Sequence, residues 1–388
     1  MLPLATTTWD DEEIAALQEV IASGMFTMGD QVSQFESRFA SYVGSRYAVM
    51  VNSGSSANLL GVAAVCYLKD RGLKPGDEVI VPAVSWPTTY YPLHQYGLKL
   101  KFIDIDRATL NLDLSVLEGA ISNKTRAIFA VNLLGNAVDY QRLHQIVAGR
   151  DILLFEDNCE ALGATLNGKQ AGTFGLFGTY SFFFSHHIST MEGGMVVTDD
   201  EELYHCLLSM RSHGWTRHLP KDNLICEKGD DPFYESFRFV LPGYNIRPIE
   251  MSGALGLRQL EKLPSIIEGR RKNAEYFVER FSKIAQIGIQ REIGESSWFG
   301  FAVVASGGKK VRDALVRSLH AMKVDCRPIV AGNFVRNPVV EHMDYEVFGA
   351  LSNSDEVTDC GFFFGNHHFD ITDQLNEVAI ELERVLGE

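Results

Sequence analysis

An excess of positive charge is missing from this sequence of 388 residues. Lys and Arg together number 35 and Asp and Glu 50, which gives a formal net charge of −15. Proteins that bind nucleic acid or an anionic membrane surface usually carry a basic stripe or patch. We therefore expect neither a nucleic-acid partner nor a membrane partner, although a local basic pocket for one phosphorylated ligand is compatible with this composition.

Long apolar runs are missing as well, and we expect no secretory leader. The longest apolar runs, such as residues 59–68, are much shorter than the roughly 20 residues that a membrane-spanning helix needs. The N-terminal residues MLPLATTTWDDEEI contain no basic segment followed by an apolar one, which is the usual signal-peptide pattern. These two features predict a soluble, cytoplasmic protein.

Closely spaced cysteines are also absent. The sequence has 6 cysteines, and no two of them form a CxxC pair. Zinc sites and disulfide frameworks normally show such regular short spacings. The sequence therefore predicts no metal site and no disulfide framework, and a chain of this length can bury a sufficient core without them.

Short β-rich runs alternate with helical segments through the first half of the chain. Apolar strands that alternate with helices indicate a mostly parallel sheet covered on both faces, so the predicted fold class is α/β. The predicted strands are residues 46–51, 78–82, 100–104, 127–132, 152–156, 179–184 and 194–198, and the predicted helices are residues 55–67, 139–147 and 201–212.

The pattern changes after residue 199. Residues 219–237 are polar and predict a long loop, whereas residues 248–263 and 264–284 predict two helices. A strand at 298–304 and a helix at 309–322 follow. We expect a large domain over residues 1–250 and a smaller α+β domain over residues 251–388.

A run of small and hydroxyl residues, Asn52-Ser53-Gly54-Ser55-Ser56-Ala57-Asn58, lies between a predicted strand and a predicted helix. Small residues at a helix N-terminus leave backbone N–H groups free to face an anion, and the helix dipole favours negative charge there. The run therefore predicts a phosphate cradle. The alternative is an ordinary N-cap by Ser53 or Ser55.

The acidic segment Phe155-Glu156-Asp157-Asn158-Cys159-Glu160 ends a predicted strand. Ligands of open α/β sheets bind at that edge, where a carboxylate could pair with a protonated ring nitrogen. Taken alone, the segment is more typical of a solvated acidic turn.

Two adjacent histidines, His186 and His187, follow the predicted strand at residues 179–184, in the segment Ser-Phe-Phe-Phe-Ser-His-His. Neighbouring residues of an extended segment point in opposite directions, so one ring can face a site while the other packs. No third ligand has a spacing that suits a metal. Spacing alone does not separate a catalytic histidine from a packed one.

A fourth segment, Gly243-Tyr244-Asn245-Ile246-Arg247-Pro248, leads into a predicted helix. Asn and Arg side chains on a loop can bind an anion. A helix-entry turn set by the Gly and the Pro explains the same residues.

In this order the four segments resemble the DegT/DnrJ/EryC/StrS family of sugar-nucleotide aminotransferases, from Phe26 to the end of the chain. The resemblance implies the aspartate aminotransferase fold, pyridoxal 5'-phosphate or pyridoxamine 5'-phosphate as cofactor, and a homodimer with shared active sites. It also implies cofactor-binding residues: Gly54, Ser55, Ser56 and Ser181 at the phosphate, Trp86 stacked on the ring, Asp157 at the ring nitrogen, Glu160 nearby, and Asn245 from the other subunit.

One departure from the family motif changes the expected chemistry. The motif Ser-Phe-x-x-x-Lys ends on the lysine that bonds the cofactor, but counting five residues on from Ser181 gives His186. Histidine cannot form an imine, so the cofactor would be held without a covalent bond. An imidazole with a pKa near neutrality can still move protons, which makes His186 the predicted catalytic residue.

The same departure is found in the PLP-dependent sugar 3-dehydratases of this family. The resemblance implies removal of the C3 hydroxyl from a nucleotide-linked 4-keto-6-deoxyhexose. One kind uses an iron–sulfur cluster and a reductase, and the scattered cysteines argue against it. Residues 25–29, 84–92, 185–194, 213–217 and 243–251 resemble the other kind, which acts on GDP-4-keto-6-deoxy-D-mannose in colitose formation and uses L-glutamate.

Four further residues are candidates for substrate binding: His213, Arg217, Arg247 and Arg327. Guanidinium groups suit both carboxylates and a diphosphate. A helix C-cap at 213–214 and surface ion pairs are the alternatives, and His367 and His368 could serve the substrate or pack a loop. Two rival functions remain: a sugar 4-aminotransferase, which needs a lysine at position 186, and a non-catalytic cofactor-binding regulator.

Overall fold

The structure is a computed structural model and describes residues 1–387; Glu388, the end of the predicted small domain, lies outside the described residues. The helices are α1 (Asp11–Ser23), α2 (Asp30–Val43), α3 (Gly54–Val65), α4 (Pro87–Gln95), α5 (Leu114–Ala120), α6 (Tyr140–Val147), α7 (Glu201–Met210), α8 (Pro232–Glu235), α9 (Glu250–Phe281), α10 (Lys309–Ala321), α11 (Ser352–Cys360) and α12 (Thr372–Leu386).

The strands, numbered in chain order, divide among two main sheets and one small hairpin. They are β1 (Tyr47–Val51), β2 (Glu78–Pro82), β3 (Lys99–Ile103), β4 (Thr125–Val131), β5 (Leu153–Asp157), β6 (Thr165–Leu166), β7 (Lys169–Gln170), β8 (Phe177–Ser181), β9 (Gly194–Thr198), β10 (Ile287–Ile289), β11 (Gly300–Ala305), β12 (Cys326–Arg327), β13 (Tyr345–Val347) and β14 (Gly361–Gly365).

The larger sheet has the strand order β1-β9-β8-β5-β4-β2-β3-β13. Its strands from β8 to β13 pair in parallel, whereas β9 runs antiparallel to both β1 and β8. Strands β2, β8 and β9 are buried at every position, as expected where helices cover both faces. The predicted α/β class and mostly parallel sheet are confirmed, but the edge strand β13 has no counterpart in the sequence prediction.

The smaller sheet is antiparallel, with the order β10-β11-β14-β12. Its core is built on Phe277, Phe301 and Phe364, and Leu2 from the other end of the chain packs into the same core. The division into domains at residue 250 stays a prediction.

The sequence prediction was wrong about helix α9, which is one continuous helix rather than two. Residues 248–263 and 264–284 were expected to form two helices, but one helix of 32 residues passes through Pro264. Proline removes one backbone hydrogen bond of a helix and usually bends or ends it. Here the buried side chains of Leu263, Ile266 and Ile267 pack into one core on both sides of the proline, and tertiary packing supplies most helical stability in proteins.

Three segments meet at the carboxyl edge of the larger sheet. Ser53 and Gly54 follow β1, Asp157 ends β5, and Ser181 ends β8, and these three strands point in the same direction. Open α/β sheets bind ligands at this edge. Within residues 1–387, no helix is both long and apolar enough to cross a bilayer.

Candidate active site

A cavity of about 600 Å³ opens at this sheet edge. It brings together eight of the residues that the sequence singled out, and these are Gly54, Ser55, Trp86, Asp157, Glu160, Ser181, His186 and Arg327. They come from positions as far apart as 54 and 327, so only the fold places them around one space.

The N-terminus of α3 and the Ser181 side chain form one wall of the cavity. Ser53 caps the helix, because its Oγ accepts a 3.1 Å hydrogen bond from the Ser56 N–H. Gly54 and Ser55 line the cavity, whereas Ser56 does not. A Cβ at Gly54 would lie 2.5 Å from the Ser181 Cβ, so only glycine fits there. The N-cap interpretation and the anion cradle are therefore both compatible with this segment.

The Asp157 carboxylate is buried and held by two side chains. Its Oδ2 accepts hydrogen bonds from Asn58 Nδ2 at 2.8 Å and from Thr89 Oγ1 at 2.7 Å, and its Oδ1 accepts one from the Cys159 N–H at 3.2 Å. Asp157 is 6% exposed, so the interpretation as a solvated acidic turn is wrong for this residue. Donors to a carboxylate stabilise its charged form, which can then pair with a protonated ligand nitrogen.

The two histidines face different surroundings. His187 is buried, and its Nε2 donates to the Ser297 carbonyl oxygen at 3.0 Å. His186 lines the cavity, and its Nδ1 has no hydrogen-bond partner among the described residues. Burial, together with the positive charge of Arg270, lowers the pKa of His186 to about 4. The imidazole is thus a neutral base at physiological pH, with a pKa well below the near-neutral value that the sequence led us to expect.

Glu160 is a second titratable group in the cavity. Burial raises the pKa of its carboxyl to about 7, and the nearby Asp157 charge contributes in the same direction. Its Oε2 accepts a 2.9 Å hydrogen bond from the N–H of Leu134, a residue held at a φ of 53°. This carboxyl can therefore gain or lose a proton near neutrality, which its position in the sequence did not indicate.

Three of the remaining candidates line a separate cavity of about 390 Å³: Arg217, Asn245 and Arg247. The guanidinium carbons of Arg217 and Arg247 lie 4.5 and 5.7 Å from the Trp215 ring centroid. Asn245 accepts a 3.0 Å hydrogen bond from Arg247 Nε. Within the single chain described, these residues do not reach the first cavity.

His213, His367 and His368 line neither cavity. His213 has a φ of 63° and its ring contacts Trp215, with centroids 5.0 Å apart. His367 is buried between Thr6 Oγ1 and the Pro3 carbonyl oxygen, each at 3.0 Å. This geometry supports the packing interpretation for His367.

Several residues of the site escaped the sequence analysis. Asn58 lies in the run of small residues, but nothing in the sequence indicated that its side chain donates a hydrogen bond to Asp157, which is 99 positions away. Glu192, within the segment 185–194, was given no role in the site although it lines the cavity, and Phe299 lines the cavity without any local motif around it. A long-range contact leaves no signal in a single sequence, so these residues could not be found from spacing alone.

The cavity has the groups that a pyridoxal phosphate ligand requires. The α3 N-terminus and Ser181 suit a phosphate, Asp157 suits a protonated ring nitrogen, and Trp86 offers an aromatic face. Among the described residues that line the cavity, none is a lysine. The residues present therefore fit the cofactor when it is held without a covalent bond.

Comparison with known families agrees with this donor set. The sequence profile of the DegT/DnrJ/EryC1/StrS aminotransferase family matches residues 7–382. The chain belongs to this family. The resemblance inferred from the four segments is thereby confirmed.

Similar members of the DegT/DnrJ/EryC1/StrS family include a GDP-4-keto-6-deoxy-D-mannose 3-dehydratase of Yersinia pseudotuberculosis. It is 57% identical over 379 residues, which are 97% of this chain and 96% of that protein. A solved GDP-4-keto-6-deoxymannose-3-dehydratase with a trapped PLP–glutamate geminal diamine has a TM-score of 0.97 and 54% identity, covering 98% of this chain and 100% of that one. A variant of such an enzyme with bound GDP-perosamine matches with the same score, identity and coverage. The predicted aminotransferase fold is confirmed.

Proposed function

We propose that this protein is a sugar 3-dehydratase that depends on pyridoxal or pyridoxamine phosphate and on L-glutamate. Its proposed substrate is GDP-4-keto-6-deoxy-D-mannose, from which it removes the C3 hydroxyl on the pathway to colitose. The observation that carries the proposal is that the His186 imidazole lines the cofactor cavity at the motif position of the family's lysine. Relatives of 57% and 54% identity bear the name of this activity.

The overall reaction balances without a further oxidant or reductant. The C3 hydroxyl of the sugar leaves as water and the C3 carbon is reduced. L-glutamate is oxidised and, with the uptake of one water, gives 2-oxoglutarate and ammonia, so the water released and the water consumed cancel. Two electrons pass from glutamate to the sugar. The product is the nucleotide-linked 3,6-dideoxy-4-keto sugar.

His186 is the proposed acid and base. When bound, the cofactor would supply an electron sink for the electron pair left on its methylene carbon when that carbon loses a proton. The neutral imidazole of His186 can take the proton that this carbon loses, since burial and Arg270 lower the pKa of His186 to about 4. The same imidazole, now protonated, can give the proton to the departing C3 hydroxyl.

Asp157 and the α3 N-terminus are the proposed anchors. Asp157, fixed by Asn58 and Thr89, holds a proton on the ring nitrogen, and this strengthens the electron sink. Gly54, Ser55 and Ser181 hold the phosphate through backbone N–H groups and a hydroxyl. Ser56 does not line the cavity; its backbone N–H donates to Ser53 Oγ and so helps to fix the N-terminus of α3.

A homodimer with shared active sites is part of the proposal. Ile249 lines the second cavity and is exposed. Phe26 precedes the lining residue Thr27, Phe237 contacts Arg217, and Phe239 contacts Trp215, and all three side chains are exposed as well. A contiguous exposed apolar patch commonly marks a protein interface. Asn245, Arg217 and Arg247 lie in this region and would reach the partner's cavity, whereas Arg327 serves its own.

Product analysis tests the proposal. Purified protein is incubated with GDP-4-keto-6-deoxy-D-mannose, L-glutamate and pyridoxal phosphate, and the sugar product, ammonia and 2-oxoglutarate are quantified. A 3,6-dideoxy sugar with equal amounts of ammonia and 2-oxoglutarate supports the dehydratase. An amino sugar would instead identify a 4-aminotransferase, and the absence of 2-oxoglutarate would favour a non-catalytic regulator.

A further inference from the structure

An arginine without a carboxylate partner is buried against the turn that contacts the two histidines. Arg270, on α9, is 5% exposed, and its Nε has no hydrogen-bond partner in the described part of the chain. Burial alone lowers the pKa of its guanidinium, to about 10, and no carboxylate of residues 1–387 offsets this effect. A buried, unpaired charge is costly, which makes its position informative.

The guanidinium of Arg270 is bonded to a strained turn. Its Nη1 donates to the Phe299 carbonyl oxygen at 3.1 Å. The residue before it, Trp298, has a φ of 47°, in the left-handed region that bulky residues rarely adopt. Asn366 Nδ2 donates to the Trp298 carbonyl oxygen at 3.0 Å. Two buried side chains therefore hold this turn in a conformation that it would not keep alone.

The turn contacts both histidines directly. The Ser297 carbonyl oxygen accepts the hydrogen bond from His187 Nε2 at 3.0 Å. The Phe299 ring packs against the His186 ring, with centroids 5.1 Å apart, and lies 5.8 Å from that of His187. Any shift of the turn would move the surface against which the His186 imidazole rests.

We propose that Arg270 is a positioning residue for His186: its guanidinium fixes the turn against which the imidazole packs and supplies an unpaired positive charge behind that imidazole. The inference rests on the proposed function, in which His186 moves a proton. Arg270 itself lines neither cavity and would act only through the histidine.

The charge of Arg270 acts on several imidazoles at once. After burial, it is the main cause that lowers the pKa of His186 and of His367, each to about 4, and it also lowers the pKa of His187 and His368. Other titratable or charged groups line the cavity that His186 faces, and these are Asp157, Cys159, Glu160, Glu192 and Arg327.

An imidazole beside a fixed positive charge suits onward proton transfer. Before the reaction His186 is unprotonated and free to accept a proton. Once protonated, it experiences the field of a second buried cation, Arg270, and like charges disfavour the charged form. The proton is then readily passed to the leaving C3 hydroxyl rather than retained.

The experiment follows the protonation of His186 in the full-length protein by NMR of ¹⁵N-labelled histidine side chains, before and after pyridoxamine phosphate is added. His186→Asn identifies the signal. In the unmodified protein the ring should stay neutral at pH 6 and above. In Arg270→Gln the titration midpoint should rise by about one pH unit or more, and the acidic limb of the kcat profile should rise with it.

Two further variants separate charge from packing. Arg270→Lys keeps the positive charge but loses the planar guanidinium that holds the turn. The titration midpoint of His186 should therefore stay low, while kcat falls by roughly tenfold because the imidazole is less well positioned. The matched control is Arg271→Gln. Arg271 lies on the same helix and donates to the Ser296 carbonyl oxygen at 2.9 Å, but it has an ion-pair partner in Glu295. This control should leave the His186 midpoint unchanged.

A His186 midpoint near 6.5 in the unmodified protein would overturn the inference, and that measurement requires no substitution at Arg270. An Arg270→Gln protein that folds and titrates like the unmodified one would overturn it too. These readouts are independent of the proposed function, because an unmodified protein that forms no dehydrated sugar can still show a His186 ring governed by Arg270.

Discussion

Asn58 donates a 2.8 Å hydrogen bond from Nδ2 to Oδ2 of Asp157, and both side chains are buried. Asn58 is itself oriented, since its Oδ1 accepts a 2.6 Å hydrogen bond from Thr179 Oγ1. The proposed ring-nitrogen partner is thus fixed by a chain of side chains from α3 and β8. Such buried polar chains rigidify a site when every member is satisfied.

Asn58→Leu should weaken cofactor binding. The change keeps the approximate side-chain volume but removes one donor to the Asp157 carboxylate, and a hydrogen bond to a charged group contributes about 1.5–3 kcal/mol. Thr89 and the Cys159 N–H remain as donors to Asp157, so the carboxylate is held less firmly rather than left without a partner. Titration of the protein with pyridoxamine phosphate, followed by absorbance, measures the effect. Asn123→Leu, at an exposed loop position, serves as the control and should bind normally.

His186→Asn should lower dehydration by roughly 10²- to 10⁴-fold, the usual contribution of a general acid–base group. Cofactor binding should persist, because Asp157 and the α3 N-terminus are untouched. His144→Asn, at an exposed position on α6, controls for the loss of a histidine. Turnover that survives in His186→Asn would show that the base has been misassigned.

Gly54→Ala should disturb the phosphate site. The added Cβ would lie 2.5 Å from the Ser181 Cβ and 3.1 Å from Cys159 Sγ, so α3 or β8 has to shift. We expect weaker binding of pyridoxamine phosphate with a smaller loss for pyridoxamine, which lacks the phosphate. Gly119→Ala in α5 is the matched control, since its Cβ would meet only the Phe348 ring, at 3.3 Å.

Glu160 should make the stability of the cofactor-free protein fall as pH rises. Burial raises the pKa of its carboxyl from 4.5 to about 7, so the folded state binds more protons than the unfolded state within this window. Stability is then greatest below pH 4.5 with respect to this group and declines up to pH 7, by no more than about 3 kcal/mol.

Urea unfolding between pH 5 and pH 8 measures this decline. The Glu160→Gln variant should show a flatter profile than the unmodified protein, whereas Glu19→Gln, at an exposed position of α1, should not. Parallel profiles for the unmodified protein and Glu160→Gln would show that this carboxyl titrates at its usual pKa.

Shared active sites predict complementation between two inactive variants. His186→Asn and Asn245→Ala should each lose activity as homodimers. After unfolding and refolding of an equal mixture, half of the dimers are mixed and each mixed dimer has one intact site, so about a quarter of the full activity should return. No recovery in a mixture that is demonstrably dimeric would place Asn245 in its own subunit's site.

Local sequence patterns were sufficient for the class of fold and for one chemical decision. The alternation of apolar strands and helices determined the α/β sheet, because periodicity reflects which faces are buried. A motif count from Ser181 placed a histidine where the family motif has its lysine, and the family profile matches residues 7–382. Both conclusions depend only on residues close together in the chain.

Only the tertiary structure showed that His187 is buried against the Ser297 carbonyl oxygen while His186 lines the cavity. It also joined Asn58 to Asp157 and showed that α9 continues without a break at Pro264. It also set the pKa of His186 and of Glu160 on opposite sides of their usual values. These properties depend on burial and on charges contributed by distant segments, such as Arg270 behind His186. Contacts between residues that are far apart in the chain form only when the whole chain has folded, so the spacing of residues within one segment cannot predict them.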